Sequence, residues 1–136
     1  MGKLVLNLSM LTTTEGIVLR TVKFRDTSLI ADVFTRTLGL KTYIINGVFR
    51  NKPKYAPSML ELGCVLDMVV YNREGKNINR VKELKSAIYP NLSIGNIHRL
   101  AVKMFIVELT RKTIRTDEVQ MEIYDFLRSC IWSIED

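Results

Sequence analysis

Residues 59–71 alternate with a strict period of two: Leu60, Leu62, Cys64, Leu66, Met68 and Val70 fall on one side, Glu61, Gly63, Val65, Asp67, Val69 and Tyr71 on the other. A helix repeats every 3.6 residues and cannot present such a run as one face, whereas a strand must. The pattern predicts one long strand with Leu62, Cys64 and Leu66 inside. To serve two sheet edges at that length it needs a bend, and Gly63 is the place for it. Four other segments, 17–24, 29–35, 40–47 and 78–88, are dense in β-branched and aromatic residues and bounded by turn residues. Arg36, Thr37, Leu38 and Gly39 read as a tight hairpin turn. Residues 51–57, with Pro53 and Pro57, read as a longer loop, and residues 72–77 as a second hairpin loop.

Five antiparallel strands within residues 13–89 suit a small closed barrel better than an open sheet, because closure removes exposed edges. A five-stranded OB-fold is the natural candidate, although strand count alone leaves an SH3-like barrel open. After Pro90 the period lengthens to about 3.6. A helix is predicted over 94–115, capped by Ser93, with Ile97, Ala101, Met104, Phe105, Leu109 and Lys112 down one face and Val102, Ile106 and Thr113 beside it. Asp117 opens a second helix with Gln120 in capping-box spacing, and Ile123, Leu127, Cys130, Ile131 and Ile134 form its apolar stripe. That stripe is still running where the sequence stops. The expected organisation is an N-terminal extension (1–12), a barrel (13–89) and the start of a truncated, partial α-helical bundle (90–136).

The 136 residues carry a net charge of +6, unevenly spread. Thirteen basic and seven acidic side chains lie in residues 12–89, six and seven in residues 90–136. A positive excess on the barrel half points to an anionic partner. Cys64 and Cys130 are far apart, with no CxxC spacing and no His/Cys cluster, so neither a zinc site nor a disulfide framework is written here and a reducing cytoplasm fits best. No apolar run approaches the ~20 residues of a membrane-spanning helix, and the stretch 4–11, broken by Asn7 and Ser9, is a poor signal peptide. The expectation is a soluble cytoplasmic protein with no membrane association.

Catalytic hardware is hard to find. The one histidine, His98, has no nucleophile context, and GxxxxGK[ST], GxGxxG after a strand and HExxH are all missing. No catalytic residue, metal or cofactor is expected. The positive signal is residues 41–54, which carry Lys41, Arg50, Lys52 and Lys54 without an acid and interleave Tyr43, Phe49 and, just beyond, Tyr55. Cations neutralise phosphates while aromatic faces stack on bases, the pairing that single-strand binders use. The competing reading is a solvated loop with its aromatics in the core. A second basic cluster, Arg73, Lys76, Arg80, Lys82 and Lys85 against Glu74 and Glu83, puts Arg80 and Lys82 on one strand face; Arg20, Lys23 and Arg25 make a third. Glu118, Glu122 and Asp125 read as a solvated helix face, and Trp132 as core packing.

The segments 14–20 (Thr-Glu-Gly-Ile-Val-Leu-Arg), the polar turn before Leu29, 34–41 (Phe-Thr-Arg-Thr-Leu-Gly-Leu-Lys) and 46–52 (Asn-Gly-Val-Phe-Arg-Asn-Lys) resemble, in order and spacing, the start of the bacterial RecO recombination mediators. Residues 99–115 and 123–134, with Ile131-Trp132, resemble the beginning of that family's helical domain. The resemblance implies an OB-fold DNA-binding domain followed by a helical bundle. It implies strand annealing, and help in loading a recombinase on single-stranded DNA coated by single-strand binding protein. The implied partners are single- and double-stranded DNA, RecR and single-strand binding protein, and Arg36, Lys41, Arg50 and Lys52 are the matching phosphate contacts. The leading expectation is thus a non-enzymatic DNA-binding mediator. The alternative is a protein-interaction adaptor whose barrel and helical face dock another subunit without binding DNA.

Overall fold

The computed structural model describes residues 11–73, 75–89, 97–114 and 118–136. Strands β1 (Leu11–Phe24), β2 (Ser28–Thr35), β3 (Gly39–Ile45), β4 (Val65–Tyr71) and β5 (Ile78–Ile88) precede helices α1 (Ile97–Thr113) and α2 (Met121–Glu135). The strands close into a barrel in the order β1-β2-β3-β5-β4. All neighbours are antiparallel except β3 and β5, which run parallel through three residue pairs, Thr42–Ile44 against Ile78–Arg80. Closure is possible because β1 is long: its first half pairs with β4 and its second with β2.

Alternation sorts the strand residues between inside and outside. Ala31, Val33, Tyr43, Ile45, Leu66, Met68 and Val70 fill the interior. Three irregularities alter the count, one between β1 and β2 and two between β4 and β5; of the latter, the shift between Val65 and Leu66 turns Ile88 to the outer cluster. Between Val18 and Arg20 the β1–β2 register shifts, so Leu19 joins Arg20 outside while Val18 stays in the core. Between Val69 and Val70 the β4–β5 register shifts past Lys82, so Lys82 and Glu83 are both exposed while Val81 and Leu84 pack inward. Each is a bulge, one extra residue that turns a side chain to the other face.

The helices cover one outer wall of the barrel. Ile17, Leu19, Phe34, Val65 and Ile88 form a second apolar cluster with Val107 and Ile114 and with Tyr124 and Ile131 of α2. Tyr124 meets the Phe34 ring edge-on at 5.6 Å, and burying a ring such as Phe34 completely is worth about 1.5–3 kcal/mol. The Tyr124 hydroxyl donates to Glu15 Oε1 at 2.9 Å, and Arg128 Nε donates to the same oxygen. Burial and the Glu15 carboxylate together push the Tyr124 phenol above its usual range. Lys103 of α1 and Glu135 of α2 form a buried ion pair at 3.2 Å.

Several expectations need correction. The thirteen-residue strand is seven residues long; before it lie a 3-10 turn, Pro57–Leu60, and a bend at Gly63, whose φ of 82° no ordinary strand residue holds. Leu60 and Cys64 still reach the core, with Leu62 partly buried, because the hydrophobic order survives the change of backbone. The first strand begins at Leu11, taking in residues 11 and 12, since Leu11 and Thr12 pair with Tyr71 and Val70. The third ends at Ile45, short of the turn at Gly47.

The Ser93 cap, the first turn at 94–96 and the Asp117 cap lie outside the described residues. Helix α2 begins at Met121 rather than after Asp117: Gln120, at φ −136° and ψ 68°, is not helical and makes no side-chain cap. The buried faces are also turned. In α1 the barrel and α2 cover Lys103, Val107 and Thr110, while Ile97, Ala101, Phe105 and Leu109 are exposed. The apolar arc is wide enough for two faces, and periodicity cannot say which one meets the barrel. In α2 Tyr124 takes the buried place expected for Ile123, and Trp132 is half exposed.

Candidate nucleic-acid interface

Away from the helix-covered wall no described residue outside the barrel strands and their loops covers the closed barrel. Residues paired across neighbouring strands share a face, which assembles two outward rows across β1, β2, β3 and β5. One is Val22, Ile30, Ile44 and Arg80; the other is Arg20, Asp32, Thr42 and Ile78. Within the second row Asp32 accepts a hydrogen bond from Thr42 Oγ1 at 2.7 Å and faces Arg20 at 3.8 Å. Asp32, the acid within these two rows, is thereby occupied.

At the β1–β2 end two loops meet. The N–H groups of Val48 and Phe49 both donate to Thr27 O, at 2.8 and 3.1 Å, binding the loop after β3 to the β1–β2 turn. Gly47, at φ 77°, starts that loop; Lys54 N–H closes it on Gly47 O at 2.9 Å, and Arg50 Nε donates to Lys52 O at 3.1 Å. A Cβ at Gly47 would stand 3.3 Å from the Arg50 guanidinium and from Lys54 Cβ, a close fit, and the φ of 77° is what calls for glycine. The junction gathers Lys23, Arg25, Arg50, Lys52 and Lys54, all exposed, against Asp26. Three cations lie over rings: Lys23 over Phe49 at 5.3 Å, Arg25 over Phe24 at 5.0 Å and Lys54 over Tyr55 at 5.5 Å. Lys23 and Arg25, set apart in the sequence as a separate cluster, join the loop through the Thr27 bonds, a contact that spacing along the chain does not reveal.

The remaining candidate residues fall elsewhere. Arg80 and Lys82 are exposed on β5. Lys41 follows Arg36 and the β2–β3 turn, partly buried at the other end of β3. Arg36 grips Asp125 of α2 through two hydrogen bonds, 2.8 and 3.1 Å. That pairing holds the Asp125 carboxyl below the usual range. Arg36 is thus a strap between barrel and helix, away from the Arg50–Lys54 loop. Tyr43 cannot stack on a base: it is 1% exposed in the barrel interior, in the inward row with Ala31 and Asn79, and desolvation pushes its phenol above the usual range. Phe49 is 43% exposed and Tyr55 partly so. Among the described residues no group of three or more His, Cys, Asp or Glu could hold a metal ion, and no helix is long and apolar enough to cross a membrane.

A closed five-stranded barrel of this strand order, with one wall under helices and the other rimmed by basic loops, defines an OB-fold followed by a helical segment. Residues 10–88 match the family model described as Recombination protein O N terminal, and the chain belongs to that family. It is 32% identical over 122 residues to the DNA repair protein RecO of Chlorobium phaeobacteroides, covering 90% of this chain and 46% of that protein. Over 125 residues it is 29% identical to the RecO of Chloroherpeton thalassium (92% and 48% covered), and over 120 residues 32% identical to that of Christiangramia forsetii (87% and 50%). The chain thus spans about half the length of the curated relatives it matches.

Proposed function

We propose that this chain is the DNA-binding part of a non-enzymatic recombination mediator, acting in DNA repair in the cytoplasm. Phosphates of single- or double-stranded DNA lie along Lys23, Arg25, Arg50, Lys52 and Lys54, with Phe49 and Tyr55 offering ring faces. Arg80 and Lys82 extend the path across the open wall. The observation that carries this reading is the junction of the two basic loops, which brings five cations and two accessible aromatics to one end of the barrel. Relatives named as DNA repair proteins support it. Strand annealing follows from charge: two strands approach only when their phosphates are neutralised. Partnership with RecR and single-strand binding protein, and help in loading a recombinase, belong to the same proposal. Arg36 serves α2 instead.

Replacing Arg50 and Lys52 with Gln tests the reading. Each lost phosphate contact should lower the salt slope of single-strand binding by about 0.7, equally for unrelated sequences as expected of backbone contacts. An electrophoretic titration at several salt concentrations with unchanged affinity and slope would reject it. The adaptor alternative would then lead, supported by the exposed Ile97, Leu100, Phe105 and Leu109 of α1.

A further inference from the structure

Residues 4–10 are a motif that the function proposed above leaves unused. Leu4, Leu6, Leu8 and Met10 alternate there with Val5, Asn7 and Ser9, and Lys3 is the one charged side chain before Glu15. The segment lies outside the described residues, and the family match begins at residue 10, so its role is to be read from this chain alone. In the first half of β1 the even-numbered residues face inward: Thr12 is half-buried and Thr14, Gly16 and Val18 are buried, whereas Leu11 and Thr13 are exposed. The apolar alternation before Leu11 has the same phase. A strand running on from β1 would turn Leu4, Leu6, Leu8 and Met10 toward the protein.

Leu11 pairs with Tyr71, and Tyr71 is also a wall of a groove of about 540 Å³ that opens between Ile44, Arg73, Lys76, Ile78 and Arg80. The chain before Leu11 thus leaves the barrel at the groove's edge. β4 separates β1 from β5, and β3 follows β5, so at about 4.8 Å between strands Ile44 stands roughly 14 Å from the line of β1. Seven extended residues span about 23 Å. Ile78 is half exposed and Ile44 and Tyr71 partly so, an apolar surface still open to solvent. Held on a short tether, the segment meets that surface at an effective concentration in the millimolar range, well above that of a second copy in dilute solution. We infer that residues 4–10 lie across this groove, with Leu4, Leu6 and Leu8 on Ile44, Tyr71 and Ile78, and cover it as a strap supplied by the chain itself. The segment carries no acid, so it is held by apolar contact and takes no ion-pair partner from Arg73, Lys76 or Arg80. The docking stands on this apolar match; only its consequence, shielding Arg80 and its neighbours from nucleic acid, rests on the DNA-binding reading above.

The test uses the 136-residue chain with Cys130→Ser, which leaves buried Cys64 as the one native thiol. Leu8→Cys paired with Ile78→Cys should close to an intramolecular disulfide under mild oxidation about tenfold or more faster than Leu8→Cys paired with Phe126→Cys, a control site exposed on α2. The rate should not change with added salt, as befits an apolar contact. Lys76→Cys, on the exposed loop, serves in place of Ile78→Cys if that variant fails to fold. Shielding is read separately. Leu6→Asn combined with Leu8→Asn should tighten single-strand DNA binding about tenfold, the factor by which a groove nine-tenths covered lowers apparent affinity. A chain beginning at Met10, which keeps every strand, should do the same. Equal closure rates at positions 78 and 126, or disulfides formed only between chains, overturn the docking. Rapid closure at position 78 with DNA affinity unchanged in both N-terminal variants overturns the shielding. If neither the full chain nor these variants bind DNA, the DNA-binding reading falls and the shielding with it, while the disulfide still decides the docking.

Discussion

Gly63→Ala is the substitution whose cost the structure fixes most closely. At φ 82° an alanine sits in the left-handed region, where its Cβ crowds the carbonyl at a cost of about 1–2 kcal/mol. That Cβ would also stand 2.7 Å from Cε and 2.8 Å from Cγ of Lys103, and 3.2 Å from Val107 Cγ2. The Lys103 stem cannot swing aside freely, because its Nζ is held on Glu135 with both side chains about nine-tenths buried. Overpacking of this kind costs about 1–3 kcal/mol. Against these losses, alanine restricts the unfolded chain and returns only about 0.4–1 kcal/mol. The expected net loss is about 3 kcal/mol, which at a urea slope of about 1.5 kcal/mol/M moves the midpoint by about 2 M. Urea titration followed by far-ultraviolet dichroism measures it. In a Lys103→Ala background the overlap with the stem is gone, so the same substitution should cost only about 1 kcal/mol, the backbone part. A loss below about 1 kcal/mol in the wild-type background, or an equal loss in both, would refute the reasoning. DNA affinity should not move, because Gly63 faces the helices and not the open wall.

Tyr43→Phe removes a buried hydroxyl that has no hydrogen-bond partner among the described residues, so it should leave stability unchanged or raise it by about 1 kcal/mol without altering DNA affinity. Weaker DNA binding in this variant would contradict the interior placement. The Arg36–Asp125 strap should depend on pH in one direction. The folded Asp125 carboxyl lies below its unfolded value, so its stabilisation is complete at neutral pH and is lost only as pH falls below about 3.9 and through the depressed folded value. The stability difference between wild type and Asp125→Asn should therefore fade as the pH falls below about 3.9; a difference that persists undiminished in acid argues against the strap. Cys64 is buried and desolvation raises its thiol, so a disulfide reagent at pH 8 should reach it only on unfolding, and rapid reaction of the native chain at Cys64 would show the core open there.

The strands were legible because their hydrophobic order is dictated by what they bury. Leu60, Leu62, Cys64, Leu66, Met68 and Val70 all turn toward the core or its edge, although a 3-10 turn and a glycine bend replace the first half of the strand that the pattern suggests. Alternation reports which side chains go inward and is silent on how the backbone delivers them. The helices were legible as helices but not as faces. Lys103 and Thr110 are buried in α1, and no count of apolar positions would select a lysine whose partner, Glu135, lies 32 residues further on. For the basic loop, residue type pointed to Arg50, Lys52, Lys54 and Phe49, all of which the structure leaves exposed on the loop after β3. Tyr43 looked equivalent to Phe49 until the β2–β3 register set it opposite Ala31, on the inner side.

The two bulges decide what the open wall offers. Without the extra residue at Leu19, β1 would alternate straight through, and either Ile17 and Leu19 would leave the helix-covered cluster or Arg20 and Val22 would turn into the barrel. One inserted residue lets the first half of β1 serve α1 and α2 and the second half serve solvent, with Arg20 and Val22 outward. The bulge at Lys82 works in the same way on β5, keeping Arg80 and Lys82 outward while Leu84 stays inside the barrel; a further register shift, between Val65 and Leu66, turns Ile88 to the helix-covered side. A register slip of one residue in either strand would exchange a buried aliphatic for a cation, at a cost too large for the fold to bear. The same register that places Phe34 and Val65 beneath the helices therefore holds Val22, Ile30 and Ile44 in one outward row, exposed at Val22 and half-buried at Ile30 and Ile44, leading to Arg80. Burial on the helix-covered wall thus fixes which side chains the other wall presents to solvent.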